Sequence, residues 1–469
     1  MDRRTFMAGS ATATAGALAV FDSATPGSAD EAGRTGSGDD HVRSVTAITQ
    51  VFGSGQKLVA VAVEYDSDID GSTLSTSTFA VTDRTVTKVY TNRTADLAQR
   101  GKADLAQRGK AGRYVIVELS PDDTAAALWV TQQGPGTPPG GGSGGGSGDD
   151  GGGPGAGGPV VGDSTPGGTI VAAQATLTQP GTVTTTRGHR YAADSTARST
   201  DAVVNLIVDD FRQLSFSDRA TGQTLRYNLF VPKNYDRRKS YPMVLFMHDA
   251  SVVNVATQGP LVQGLGAVCW ASPEDQARHE SFVLAPEYGS VVIDDNYEPS
   301  TLFEATANLV RSVTREYSID PDRLHTTGQS MGAMMSLGLN IRYPDLFAAA
   351  FIVAGQWPET QAAPLARKKL WILVSADDTK AYPGEQAVTE VIQDQGTQVG
   401  TALWDGRSTA AEFAADVRSM KSQRAPVNFA AFETGTVVPS GSTTSAHMAT
   451  WQIAYTIPGI RDWIMRQSR

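Results

Sequence analysis

Two patterns of apolar and polar positions divide the chain. From Val42 to Val130 the apolar residues come in short runs of period two: Val42–Val51, Lys57–Tyr65, Ser77–Thr82, Thr85–Tyr90, Arg113–Leu119 and Ala125–Val130. Val, Thr and Tyr dominate these runs, and Gly53-Ser54-Gly55, Asp70-Gly71 and Pro121-Asp122-Asp123 punctuate them. Successive strand residues face opposite sides of a sheet, so alternation with regular turn residues predicts an antiparallel β-sandwich. A second β-rich stretch, Ile170–Val208, completes it and makes the segment between an insertion within 42–208.

From Phe211 onward strands alternate with helices. Buried-looking strands are expected at Pro242–Met247, Ser281–Ala285, Leu324–Thr327, Ala349–Val353, Leu370–Ser375 and Val427–Glu433. Between the second and third, Leu302, Ala305, Leu309, Val313 and Tyr317 recur at helical spacing. Strands separated by helices imply a mainly parallel sheet covered on both faces, over residues 211–469. Chemistry in such sheets gathers at the carboxyl ends of the strands.

Composition refines this picture. Of the 48 glycines, 18 lie in the Gly/Pro/Ser segment 134–168, which has no apolar run to bury and is expected to be disordered. Ala95–Lys102 is copied at once as Ala103–Lys110, which reads as a loop duplication on the sandwich surface. With 39 basic against 49 acidic residues and no long basic run, the chain lacks the footprint of a nucleic-acid binder. The single cysteine, Cys269, excludes an intramolecular disulfide and a cysteine-based zinc site. No stretch approaches the roughly 20 apolar residues of a membrane-spanning helix. Arg3-Arg4-Thr5-Phe6-Met7 before the mild apolar run Ala8–Val20 predicts a twin-arginine export signal over residues 1–30. Secretion or another extracytoplasmic location is therefore expected.

The candidate chemistry lies in the second half. Leu324–Thr327 runs into Gly328-Gln329-Ser330-Met331-Gly332 and then into helical text, which is strand, sharp turn and helix with Gly-x-Ser-x-Gly on the turn. A serine hydroxyl attacks well only when a base takes its proton. In this arrangement the acid and then the histidine follow the serine along the chain. Of six histidines only His447 lies downstream of Ser330. The acid is expected after Leu370–Ser375, where Asp377 and Asp378 both stand. The N–H of Met331 is the first expected oxyanion donor. The second is expected from the loop after Met243–Met247, where His248-Asp249-Ala250 points to the Ala250 amide. In the loop pattern that supplies this donor, Asp249 stands at a position where glycine is usual. Trp357, after the strand Ala349–Val353, is the candidate substrate-binding aromatic.

Tyr227–Pro232, Tyr241–Asp249, Phe282–Tyr288, Ile319–Ala333, Asp378–Gly384 and His447 with Thr450-Trp451 together carry a resemblance. The chain from Phe211 to Arg469 resembles the α/β-hydrolase esterases grouped with polyhydroxybutyrate-depolymerase-like enzymes and "predicted peptidases". Some relatives in that group carry an N-terminal immunoglobulin-like domain. The resemblance implies a serine esterase forming an acyl-enzyme on a small-molecule or polymeric ester, without metal or organic cofactor. Its Asp-x-x-Ala-x-Pro-Gly pattern favours Asp378 over Asp377. The competing readings are a peptidase or amidase with the same triad, and an inactive polymer-binding protein.

Overall fold

The computed structural model describes residues 41–97, 111–131 and 167–469. The expected export signal, most of the repeated octapeptide and nearly all of the glycine-rich segment lie outside them. The ends of that segment are held together: Trp129–Thr131 pairs antiparallel with Gly168–Ile170, with Trp129 opposite Ile170. Gly168, read from composition as part of the segment, is thus already strand.

The β-rich half packs a five-stranded sheet against a three-stranded one. Val45, Ala47, Val61, Val63, Tyr65, Val115, Val117 and Leu177 fill the space between them, all from alternate positions of their strands. One pairing departs from the antiparallel expectation. Ala202–Asn205 joins the edge of the larger sheet parallel to Val42–Phe52, with Thr46 opposite Ala202. A parallel edge needs a long return in the chain, and the whole intervening half supplies it.

The second half is built on one nine-stranded mixed sheet. Its strands are β1 (Phe211–Asp218), β2 (Gln223–Phe230), β3 (Tyr241–Met247), β4 (Phe282–Glu287), β5 (Ile319–Gln329), β6 (Ala349–Val353), β7 (Lys369–Ser375), β8 (Val399–Trp404) and β9 (Val427–Phe432). Their order is β1-β2-β4-β3-β5-β6-β7-β9-β8. Only the β1–β2 and β2–β4 pairs are antiparallel. The helices used below are α1 (Thr301–Glu316), α2 (Met331–Arg342), α3 (Ala381–Asp394) and α4 (Ala446–Ala454).

Adjacent residues of β5 show that both faces are covered. Thr326 Oγ1 lies 2.6 Å from Ser336 Oγ of α2, whereas Thr327 Oγ1 lies 3.0 Å from the hydroxyl of Tyr455, just past α4. Neighbouring strand residues point to opposite faces, so α2 and the α4 region sit on opposite sides. The β3, β6 and β7 strands are apolar nearly throughout because neither face meets water.

The two halves meet at the hairpin joining Val42–Phe52 to Gly55–Ile69. Gly53 approaches α4 so closely that a Cβ there would fall 2.2 Å from the Gln452 carbonyl oxygen. Val51 and Trp129, from the β-rich half, belong to the same apolar core as the large sheet. Among the described residues no helix is long and apolar enough to cross a membrane.

Candidate active site

The turn after β5 bends at Ser330, whose φ of 51° lies in the left-handed region that side chains usually avoid. The bend is held on one side by the Ser330 N–H, which donates to the Val353 carbonyl of β6 at 3.1 Å. On the other side small residues are obligatory. A Cβ on Gly332 would lie 1.9 Å from the Met247 carbonyl oxygen, and one on Gly328 would lie 2.4 Å from Gly332. Glycine therefore lets α2 start hard against the end of β3, with Ser330 raised at the carboxyl edge of the sheet.

His447 stands in the first turn of α4, which begins at Ala446. Ser445 caps the helix by accepting the Met448 N–H at 3.2 Å, and that cap fixes where the helix starts. The imidazole Nε2 lies 2.9 Å from Ser330 Oγ, and Nδ1 lies 2.5 Å from Asp378 Oδ2. Trp451, one helical turn on, meets the ring edge-on at 5.0 Å between centroids.

The two candidate acids part company here. Asp378 is 5% exposed and turns Oδ2 to His447, while its Oδ1 accepts the N–H groups of Ala381 and Lys380 at 2.9 and 3.2 Å. Burial pushes its carboxyl up. The hydrogen bond and charge of His447 and the two backbone donors outweigh burial and hold it below the ordinary carboxylate range. Asp377 instead accepts the Gly435 N–H at 2.6 Å.

Both candidate oxyanion amides open a helical turn. Met331 is the first residue of α2, and Ala250 begins the short turn Ala250–Val252. The leading N–H groups of a helical segment have no acceptor within it. His248 is fully buried; its Nε2 accepts the Tyr288 N–H at 3.1 Å, so its proton sits on Nδ1, 2.7 Å from the Asp249 carbonyl. Burial pushes this imidazole down, partly opposed by the Asp249 carbonyl and carboxylate, and it stays neutral. Trp357 is 7% exposed. Its ring lies over Gly338 of α2 and beside Tyr297, and its indole N–H donates to Gln361 at 3.2 Å.

Several residues that sequence reasoning passed over join this region. Asp295 pairs with Lys380 at 2.6 Å and accepts from Gln356 at 3.3 Å. Glu385 of α3 is buried beside Asp378. Its Oε1 accepts the Gly355 N–H at 2.8 Å, and its Oε2 has no partner among the described residues. Burial pushes its carboxyl well above the ordinary range, the Gly355 N–H pulls it down, and the Asp378 charge adds to the push. One signal was available: Ala381, Glu385, Val388, Thr389 and Ile392 share the buried face of α3. No group of three or more His, Cys, Asp or Glu side chains among the described residues is arranged to hold a metal ion.

Serine, imidazole and carboxylate in one hydrogen-bonded line, at the carboxyl edge of this sheet order, define an α/β-hydrolase. Comparison with known proteins agrees at the level of family. Residues 44–192 match the family described as "Esterase Ig-like N-terminal domain", and residues 219–434 match "Putative esterase". The chain belongs to the α/β-hydrolase esterases that carry an immunoglobulin-like N-terminal domain.

Among individual proteins, the solved structure of a thermostable esterase superposes with a TM-score of 0.73 at 24% identity. It covers 91% of this chain and 100% of that one, so the two share their fold across both halves. Poly(3-hydroxyalkanoate) depolymerase C of Paucimonas lemoignei is 31% identical over 100 residues, 21% of this chain. "Probable acetylxylan esterase A" of Aspergillus flavus is 45% identical over 49 residues, 10% of this chain. The chain spans 24% and 16% of the lengths of these two relatives.

Proposed function

We propose that the protein is an exported serine esterase that hydrolyses carboxylic esters. The observation that carries the reading is the unbroken line Asp378–His447–Ser330, with spacings of 2.5 and 2.9 Å. In this reading Ser330 Oγ attacks the ester carbonyl while His447 Nε2 takes its proton. Asp378 holds the imidazole with Nδ1 protonated and stabilises the imidazolium. The tetrahedral oxyanion rests on the amides of Met331 and Ala250. His447 then returns the proton to the leaving alkoxide, and water releases the acid from the acyl-enzyme by the same steps in reverse.

The names of the relatives suggest the substrate class: a small ester, or one carried on a polymer. Export rests on Arg3-Arg4 and the run that follows. Its test is the enzyme's location in a host with a twin-arginine translocase: Arg3→Lys with Arg4→Lys should keep it in the cytoplasm.

The activity is tested by hydrolysis of p-nitrophenyl acetate and butyrate by the full chain, beside Ser330→Ala and His447→Ala. Turnover that falls by about 10⁴-fold or more in both variants supports the reading. Equal activity of wild type and Ser330→Ala overturns it. The matching anilides separate esterase from amidase, because only an amine leaving group must be protonated before it departs.

A further inference from the structure

Asp249 stands where a glycine was expected, and its side chain is committed. The carboxylate is 1% exposed and accepts the Ser251 N–H at 2.8 Å, the Ser251 hydroxyl at 2.5 Å and the Gln329 side-chain N–H at 2.8 Å. Gln329 also reaches Gln263 Oε1 at 3.3 Å. All four of these side chains are buried.

The places of these residues in the chain give the bond its meaning. Gln329 immediately precedes Ser330, and Asp249 immediately precedes Ala250. One buried hydrogen bond therefore ties the residue before the nucleophile to the residue before the second oxyanion amide. The other side of the same peptide is also fixed. The Asp249 carbonyl faces His248 Nδ1, whose ring is pinned by the Tyr288 N–H. A trans peptide is planar, with N–H opposite to C=O. The Ala250 N–H accordingly points away from the His248 ring, in a direction that the ring sets.

We infer that His248, Asp249 and Gln329 form a clamp that holds the Ala250 amide at a fixed spacing from the Met331 amide. The three are positioning residues: none touches the substrate in this reading, and each acts through the backbone of a neighbour. The inference rests on the serine-esterase reading above. It also accounts for an aspartate in the glycine place, since a glycine there would take away the side-chain acceptor of Ser251 and leave Gln329 only its longer contact with Gln263. The clamp works by geometry and not by charge. An asparagine at position 249 retains an oxygen for Ser251 and offers an amide to Gln329. Gln329 can turn over to accept it, and Gln263 can turn likewise, since its Nε2 has no partner among the described residues.

The test uses the full-length protein and p-nitrophenyl butyrate, with Asp249→Ala, Asp249→Asn, Gln329→Ala and the double variant Asp249→Ala/Gln329→Ala. Displacing one oxyanion donor lowers kcat by about 10- to 100-fold while leaving KM within about threefold. That split is expected for Asp249→Ala and Gln329→Ala. The double variant should be no slower than the slower single one, because both break the same bond. Asp249→Asn should recover to within about threefold of wild type. Affinity for a boronic-acid analogue of the tetrahedral intermediate should fall in step with kcat/KM, while affinity for butyrate stays constant.

Gln329→Ala removes only one side-chain amide and guards against an Asp249→Ala protein that does not fold. Wild-type kcat in Gln329→Ala overturns the clamp alone. So does an Asp249→Asn protein as slow as Asp249→Ala, or losses that multiply in the double variant. Absence of Ser330-dependent turnover in the wild type overturns the esterase reading and the clamp's role with it.

Discussion

Asp377 and Asp378 are neighbours in the chain whose carboxylates serve different loops. Asp378 Oδ2 lies 2.5 Å from His447 Nδ1, and Asp377 Oδ2 accepts the Gly435 N–H at 2.6 Å. Asp378→Asn should therefore lower kcat by about 10³- to 10⁴-fold, because the imidazole loses the acceptor that selects its tautomer. Asp377→Asn removes a loop contact and should lower kcat by less than about tenfold. Steady-state kinetics on p-nitrophenyl butyrate separates the two; comparable losses would remove the distinction.

Gly332 has no room for a methyl group, since a Cβ would lie 1.9 Å from the Met247 carbonyl oxygen. Gly332→Ala should push α2 off the end of β3 despite alanine's better helix propensity. The expected result is about 1–3 kcal/mol of lost stability and about 10- to 100-fold lower kcat. Denaturant unfolding and kinetics on the same preparation check both. An unchanged enzyme would show that the turn tolerates the displacement.

His325, in the middle of β5, is fully buried with neither ring nitrogen bonded among the described residues. Burial, helped by the charges of Arg323 and Lys369, pushes it down to about 3. The folded protein keeps this imidazole neutral while the unfolded chain takes up a proton below the ordinary histidine value of about 6.5. The unfolded state then binds more protons, so stability falls as pH drops from about 6.5 toward 3. Between pH 7 and pH 5 His325→Leu should lose roughly 2 kcal/mol less unfolding free energy than the wild type. Urea titrations at the two pH values measure the difference; identical losses would contradict it.

Glu385 has the opposite sense. Its folded-state value lies well above the ordinary range, so the unfolded chain gives up a proton that the folded protein retains. Stability from this group therefore declines as pH rises past the ordinary glutamate value. Glu385→Gln keeps the oxygen that accepts the Gly355 N–H and has no proton to lose. The melting temperature of the variant should exceed that of the wild type at pH 7 and equal it at pH 4. Scanning calorimetry at both pH values decides it.

The local parts of this protein were legible in its sequence. Alternation at Val42–Val51 and Arg113–Leu119, the apolar blocks Met243–Met247 and Leu370–Ser375, and Gly-Gln-Ser-Met-Gly after a buried strand each depend on a few consecutive residues. So does the order Ser330, aspartate, His447, with a single downstream histidine to consider. What only the tertiary structure decided depends on residues far apart in the chain. His447 and Asp378 are 69 positions apart, Gln329 and Asp249 are 80 apart, and Gly53 meets Gln452 across nearly the whole chain. Residues 202–205 look like any edge strand until their parallel partner at 46–49 is known. Hydrophobic period records which face of an element is buried. It does not record which carboxylate of a neighbouring pair meets the imidazole, because that follows from how two loops are packed at the edge of one sheet.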